Sequence, residues 1–334
     1  MNQHERAITV KIDEGDAFNY RVDVLAVKYA QAYYGLDGAI VNRFQEVGFD
    51  IDSLQPRPGH FELVGSHGQA MAENILFYGV VPLRNFRYQQ IREFSFGVLQ
   101  ALGVISPNIR HLGITLHGAN YGLDEIEALE AEIAGIVDAV VTHKIPEQLE
   151  QITIIERNKV RSRRLAKTLK ELLPSGRINS TSGLGGGKQE ESEARLRAAG
   201  YSSDSKPHIF VAMPFDESMG DVYHYGISGA VRSAGFLCER VDEKAFTGEV
   251  LDRVKQRIKT SMLVVADLST ANPNVYLEVG YAWGCGIPTV FVVRDVSELK
   301  FDVQGQRCLV YKSIKDLEKI LGKELSEISG DHGI

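Results

Sequence analysis

The sequence predicts an α/β protein with two domains, the second of which contains a doubly wound, parallel, five-stranded sheet. Three observations indicate this fold. Apolar runs alternate with helix-forming segments in both halves of the chain, and the five apolar runs after residue 207 contain few polar residues. Such strands are typical of a parallel sheet with helices on both faces. The length of 334 residues fits two domains better than one.

The predicted elements of the second half follow a regular order. Five strands are expected at residues 208–213, 236–241, 262–267, 289–293 and 307–311. Helices are expected between and after them, at residues 221–234, 248–259, 274–285 and 313–321, with a shorter piece near Val296. Parallel neighbours need a crossover connection, usually a helix, so this alternation predicts parallel pairing. Ligands of such sheets bind outside the carboxyl ends of the strands.

The first half shows the same alternation less regularly. Strands are predicted at residues 22–29, 74–81 and 111–116, and helices at residues 88–102, 124–141 and 157–173. The last helix carries many basic residues, but its apolar residues recur at helical spacing. Its charges are therefore interpreted as the solvated face of an amphipathic helix.

A change in composition separates the two halves. Residues 175–206 are rich in Gly, Ser and other polar residues, which predicts a flexible linker with one short charged helix at residues 190–199. We therefore expect a first domain at residues 1–174 and a second domain at residues 207–334.

Composition and motifs exclude several classes of protein. The net charge of −7 argues against direct binding of nucleic acid. The three cysteines are not closely spaced, and the sequence has no zinc, phosphate-loop or serine-hydrolase motif, so no metal and no required cofactor are expected. The amino terminus lacks the apolar region of a signal peptide, and no apolar run is long enough to span a membrane. These features predict a cytoplasmic protein.

One charged residue interrupts an otherwise uncharged segment. Residues 268–293 contain a single formally charged side chain, Glu278. Asn272 and Pro273 form a helix start, because Asn is a favoured N-cap and Pro is favoured at the first helical position. Glu278 then lies in the second turn, with Tyr281 on the same face. A carboxylate in apolar surroundings is costly unless it is paired or functional. The alternatives are a surface residue or a structural ion pair.

A second candidate site follows the first strand of the second half. Met213, Pro214 and Phe215 lie where that strand is expected to end, and their apolar surface could line a pocket for a nucleobase. A tight turn with a core phenylalanine is the alternative. Asp267 ends the strand before Glu278, where an acidic side chain often caps a loop.

Residues 207 to about 321 resemble the nucleoside 2-deoxyribosyltransferase-like group of nucleotide-binding domains, which is close to TIR domains. The matching segments are residues 210–215 (FVAMPF), 267–282 (DLSTANPNVYLEVGYA) and 301–307 (FDVQGQR). The resemblance implies a flavodoxin-like sheet. It also implies that Glu278 is the nucleophile or the group that stabilises the oxocarbenium ion at the sugar carbon. Polar side chains that hold the sugar hydroxyls would be Asp267, Asn272 and Asn274.

The sequence departs from these transferases at one position. Asn272 stands where they often carry an acidic residue, which leaves hydrolysis or NAD cleavage open beside transfer between bases. Phe215 and Tyr281 would provide the surface on which the base stacks.

The first half is similar to the macro-like amino-terminal domain of leucine aminopeptidases. The matching segments are residues 22–27 (VDVLAV), 34–40 (YGLDGAI) and the helix that ends near residue 174. The peptidase domain is absent, so peptidase activity is not implied. Macro domains bind ADP-ribose-type ligands through loops comparable to residues 35–38 and 118–122, although these glycines could equally form ordinary turns.

Together these features predict an enzyme that cleaves the N-glycosidic bond of a nucleoside, a nucleotide or NAD. The first domain would sense an ADP-ribose-like ligand or recruit a partner, and the combination suggests an effector of bacterial antiphage defence that acts as a homo-oligomer. The alternative is a non-catalytic nucleotide sensor, which would bind its ligand without releasing a free base.

Overall fold

The computed structural model describes residues 6–119, 121–180, 189–241, 248–300 and 303–331. The chain forms two compact units. Unit 1 comprises Met1–Gly118 and Glu125–Asp204, and unit 2 comprises Ala119–Asp124 and Ser205–Ile334. Each unit contains a β-sheet with helices, so the predicted α/β class is confirmed. No helix within the described ranges is both long enough and apolar enough to cross a membrane.

Unit 1 contains a seven-stranded mixed sheet with the order β3-β4-β2-β5-β6-β1-β7. The five central strands are parallel, whereas β3 and β7 are antiparallel edge strands. The strands are β1 Ala7–Glu14, β2 Val24–Tyr29, β3 Phe61–Gly65, β4 Asn74–Gly79, β5 His111–Ile114, β6 Gln151–Glu156 and β7 Arg177–Asn179.

Five helices belong to unit 1 within the described ranges: α1 Leu36–Glu46, α2 Tyr88–Ile105, α3 Glu125–Val141, α4 Lys159–Leu172 and α5 Gln189–Ala198. Helices α2 and α3 pack closely against each other because Gly135 of α3 lies against the backbone of Arg92. A Cβ atom at Gly135 would lie 2.2 Å from the Arg92 carbonyl oxygen, so only glycine allows this approach.

Unit 2 contains a fully parallel, five-stranded sheet, as predicted. Its order is β12-β11-β10-β8-β9, the flavodoxin-like order in which the second strand of the unit lies outside the first. The strands are β8 His208–Ala212, β9 Leu237–Glu239, β10 Leu263–Asp267, β11 Thr289–Val293 and β12 Cys308–Val310. Strands β8 and β10 are buried along their entire length, which explains why both are apolar except for His208 at the start of β8 and Asp267 at the end of β10.

Helices cover both faces of this sheet. A π-helical segment at Val222–Ile227 continues into α6 Ser228–Ser233, and the later helices are α7 Gly248–Thr260, α8 Pro273–Gly284 and α9 Ile314–Asp331. One buried cluster joins the sheet to α6 and α9, and a second cluster joins its other face to α7 and α8. The alternating faces of β8 supply both clusters, since Ile209 and Val211 belong to the first and Phe210 to the second.

The observed elements differ from the prediction mainly in unit 1. Strands β1, β3, β6 and β7 and helix α1 were not predicted, whereas each strand predicted in the second half is present with ends shifted by a few residues at most. Strand β1 mixes apolar and polar residues because only Ile8 and Val10 of it are buried. A search for continuous apolar runs therefore misses it.

The observed units and the predicted domain ranges differ in two respects. Strand β7 and helix α5 lie in the range predicted to be a linker, and both pack within unit 1, while residues 181–188 lie outside the described residues. The flexibility of that range stays a prediction. In addition, unit 2 includes Ala119–Asp124, because the buried Asp124 accepts hydrogen bonds from the Arg232 side chain and the Cys238 backbone.

Candidate functional site

The candidate site lies at the carboxyl edge of the unit 2 sheet. Strand β8 has β9 on one side and β10 on the other. The chain crosses from β8 outward to β9 and then returns past β8 to β10, so the two connections from β8 and to β10 lead to opposite sides of the sheet. Such a switch point opens a crevice at the carboxyl ends of the strands and is the usual ligand site of an open α/β sheet. Met213 follows β8, Arg240 follows β9 and Asp267 ends β10. Two of the strand ends at this edge therefore carry a candidate residue, Met213 or Asp267, and a third carries the cation Arg240.

Glu278 lies on α8, which follows β10 and packs against β8, β10 and β11. The helix begins as predicted, with the Asn272 side chain accepting the Asn274 N–H at 2.9 Å and Pro273 at the first helical position. This start places Glu278 in the second turn. Its side chain is buried, with 8% exposure, and the apolar residues Val275 and Val279 of the same helix are buried as well.

The carboxyl group of Glu278 has unusual surroundings. No hydrogen bond or ion pair reaches it from any residue that the structure describes. Burial alone raises the pKa of Glu278 to about 8, because an apolar environment disfavours the charged form. Buried acidic groups are normally paired, so an unpaired one beside a ligand crevice is a candidate for chemistry. Near neutral pH this group can hold or release a proton.

Met213, Pro214 and Phe215 lie at the end of β8, as expected. Met213 and Pro214 are buried, and Phe215 is partly exposed. The Arg240 guanidinium lies 3.9 Å from the centre of the Tyr223 ring and 5.8 Å from that of Phe215, and its Nη1 atom is 3.2 Å from the Met213 sulfur. The residues at the end of β8 thus lie beside a positively charged side chain and an aromatic ring.

Arg240 was not predicted as a site residue. The only signal in the sequence was a basic residue near the end of a predicted strand. Its position over the Tyr223 ring depends on the π-helical segment, which the sequence did not indicate.

Asp267 is completely buried, and its two carboxylate oxygens accept hydrogen bonds from different protein groups. Oδ1 accepts the Ser269 N–H and Oδ2 accepts the Tyr311 hydroxyl, both at 2.9 Å. Burial raises the pKa of Asp267, while these hydrogen bonds and the positive charge of Arg294 act in the opposite direction. The structure therefore places this residue inside a network of protein groups.

The remaining predicted residues have different surroundings. Asn272 caps α8 with its side-chain oxygen, and Asn274 is exposed. Tyr281 is partly buried against the cluster that contains Val279, and its interaction with Cys285 raises the pKa of its hydroxyl. Tyr281 shares the helix face of Glu278, whereas Asn274 lies one turn before it.

Unit 1 has buried ionisable groups near the loops predicted to bind an ADP-ribose-like ligand. Gly35 has a φ of 68° at the start of α1, where the buried Asp37 accepts the Tyr34 N–H. Burial raises the pKa of Asp37 to about 7 despite the nearby Lys28. Of the second predicted loop, Gly118 belongs to unit 1 and Gly122 to unit 2. Ligand binding by these loops stays a prediction.

Comparisons with known proteins give distant structural similarities. No protein-family model matches the chain, and no curated protein sequence matches it. A CMP N-glycosidase from Clostridium botulinum has a TM-score of 0.31 at 14% identity, over 35% of this chain and 98% of that protein. A 2-desoxiribosyltransferase from Leishmania mexicana has a TM-score of 0.30 at 14% identity, over 35% of this chain and 97% of the transferase.

A macrodomain is also among the similar structures. The Oceanobacillus iheyensis macrodomain with MES bound has a TM-score of 0.37 at 14% identity, and the similarity covers 50% of this chain and 97% of the macrodomain. All three similarities are distant. The chain's resemblance to TIR domains and to leucine aminopeptidases stays a prediction from the sequence.

Proposed function

We propose that unit 2 cleaves the N-glycosidic bond of a nucleoside, a nucleotide or NAD, with Glu278 as the catalytic residue at the anomeric carbon. The observation that carries this proposal is the buried carboxyl group of Glu278, on the helix that follows β10, which forms no hydrogen bond or ion pair with any residue in the described part of the chain. A group in these surroundings stabilises positive charge strongly once it is ionised, since little water is present to screen it.

The chemistry of the reaction matches this environment. When the C–N bond breaks, the electron pair leaves with the base and the sugar carbon becomes positively charged. An ionised Glu278 would stabilise that charge or attack the carbon directly. In hydrolysis, the hydroxide part of a water molecule then joins the anomeric carbon and displaces the Glu278 carboxylate if that group has attacked. The proton of that water goes to the departing base of a nucleoside or nucleotide, and to solvent when neutral nicotinamide leaves NAD.

The other side chains at the edge suggest how a nucleotide would be held. Phe215 offers a partly exposed aromatic face on which a base can stack, and Met213 and Pro214 provide apolar surface behind it. Asn274 is exposed one turn before Glu278 and offers an amide for sugar hydroxyls. These assignments of substrate contacts belong to the proposal.

The test is release of a free base by the full chain. Purified protein is incubated with NAD, with deoxynucleosides and with nucleoside monophosphates, and the free base is measured by chromatography. We expect Glu278→Gln to lower the rate by on the order of 10²-fold, because it removes the charge while keeping the size of the side chain. Glu318→Gln, a change at an exposed glutamate of α9, is the matched control.

Two results would contradict the proposal. Equal rates for Glu278→Gln and the unchanged protein would remove the catalytic role of Glu278. Saturable binding of one of these compounds without any base release would instead favour the non-catalytic sensor. Binding of an ADP-ribose-like ligand by unit 1 and the homo-oligomer are further predictions. They are tested by base release with added ADP-ribose and at varied protein concentration. The defence role stays a prediction.

A further inference from the structure

The loop between β10 and α8 has a strained backbone. Thr270 has a φ of 69° and Ala271 a φ of 47°, so two consecutive residues other than glycine adopt the left-handed conformation. This region is unfavourable for residues with a Cβ atom, and above all for a β-branched residue such as threonine. Such strain persists only where the surrounding structure holds it in place.

Hydrogen bonds from three strand ends hold this loop. Ser269, directly before the strained pair, donates its N–H to Asp267 and accepts the Arg294 N–H on its side-chain oxygen at 3.1 Å. Arg294 follows β11, and its Nε atom donates to the Tyr311 hydroxyl at 3.3 Å. Tyr311 follows β12 and donates to Asp267 across the intervening strand β11. We call these four residues the Asp267 network.

The network lies at the start of the helix that carries Glu278. Thr270 donates its N–H to a Glu298 oxygen at 3.0 Å, and Asn272, two residues later, is the N-cap of α8. A shift of this short loop therefore moves the first turn of α8. Glu278 lies one turn farther along, and a helix transmits a tilt of its first turn to the next because its backbone hydrogen bonds make it stiff.

We propose that Asp267 and Tyr311 are positioning residues, which hold the strained loop and thereby set the place of Glu278. Asp267 is completely buried and both its oxygens are occupied, so this role differs from the contact with sugar hydroxyls that the sequence suggested. The inference rests on the proposed function only in naming Glu278 as the reacting group.

The decisive variant is Tyr311→Phe, which removes one hydroxyl from a buried ring and leaves its packing unchanged. The readout is the titration of the Glu278 carboxyl group, followed by carbon NMR of protein labelled in its glutamate side chains, with Glu278→Gln identifying the signal. If the loop relaxes, Glu278 gains water, and its titration midpoint should fall from about 8 by on the order of one unit.

Tyr276→Phe is the matched control. Its hydroxyl accepts the Lys300 N–H at 3.2 Å, so the change removes one hydrogen bond from α8 without touching the Asp267 network. We expect the Glu278 midpoint to stay in place in this variant. Adding Thr270→Gly to Tyr311→Phe should restore the midpoint, because glycine adopts the left-handed conformation without strain.

Two outcomes would overturn the inference. One is an unchanged Glu278 midpoint in folded Tyr311→Phe. The other is an equal shift in Tyr276→Phe, which would show that any lost hydrogen bond has the same effect. Should Tyr311→Phe not fold, Ser269→Ala removes the bond to the Arg294 N–H and is measured in the same way. Because the titration needs no turnover, a failure of the proposed reaction would leave this result readable.

Discussion

Replacing Glu278 by glutamine should stabilise unit 2, and the gain should grow as the pH rises. The pKa of Glu278 is raised by burial from the usual 4.5 to about 8 in the folded protein. Between these two values, the folded state binds more protons than the unfolded state. The free energy of unfolding therefore falls as the pH rises through this range, and the loss levels off above pH 8. Glutamine does not titrate and escapes this loss.

The size of the effect follows from the shift. Each pKa unit corresponds to about 1.36 kcal/mol. Relative to a side chain that stays neutral, Glu278 should destabilise unit 2 by about 1 kcal/mol at pH 5, about 3 kcal/mol at pH 7 and about 5 kcal/mol at pH 9. Glu278→Gln should thus be more stable than the unchanged protein by these amounts. A variant that gains stability while losing turnover is expected when an active-site residue is replaced.

The assay is urea unfolding of the full chain between pH 5 and pH 9. The single tryptophan, Trp283, lies on α8 with its ring 5.9 Å from that of Phe291, so its fluorescence reports unit 2. The quantity of interest is the difference in unfolding free energy between Glu278→Gln and the unchanged protein, because other titrating groups cancel in it. The exposed control Glu318→Gln should show a difference within about 0.5 kcal/mol at every pH.

The reasoning would be refuted by a difference that stays flat from pH 5 to pH 9. A flat difference near zero would mean that Glu278 is solvated in the folded protein. A flat difference in which Glu278→Gln is the less stable protein would mean that the charged form of Glu278 is the stabilised one. Either result would remove the electrostatic basis of the proposed chemistry as well.

Two further predictions concern the same unit. If the ionised form of Glu278 acts, the rate of base release, measured by chromatography, should rise with pH and level off near pH 8. A rate that falls over this range would instead make Glu278 the proton donor to the base. Asp124→Asn should destabilise unit 2 by up to about 3 kcal/mol in urea, because it breaks the ion pair between the buried Asp124 and the half-buried Arg232. Glu327→Gln, at an exposed pair, should change less than about 1 kcal/mol, and equal effects would contradict this account.

Much of unit 2 could be predicted because its strands are marked by local sequence. Strands buried on both faces are mainly apolar, so β8 and β10 are visible as apolar runs with one polar residue at an end. Strand β11 is half-buried at its first two residues but is also apolar after Thr289. In unit 1, β1 has a mixed pattern because it is less completely buried, and β7 has only three residues. Such segments become strands through their partners, which a search for apolar runs does not identify.

Glu278 could be identified from the sequence as a candidate site residue. Its charge stands alone in an uncharged segment, and the Asn272–Pro273 start fixes its turn within the helix by local capping rules. That none of the residues in the described ranges pairs with its carboxyl group could not be deduced, since any of the distant arginines could have reached it. That property, together with the raised pKa, depends on which groups the fold brings near.

The sequence by itself determined the α/β class, the five parallel strands of unit 2 and the start of the helix that carries Glu278, because these depend on residue type and local spacing. Only the tertiary structure decided which side chain bonds to Asp267, since its partner Tyr311 is 44 residues away. It alone also placed Asp124 in unit 2, where its partner Arg232 is 108 residues distant. Hydrogen bonds between such distant residues form only once the chain has folded, and no local pattern records them.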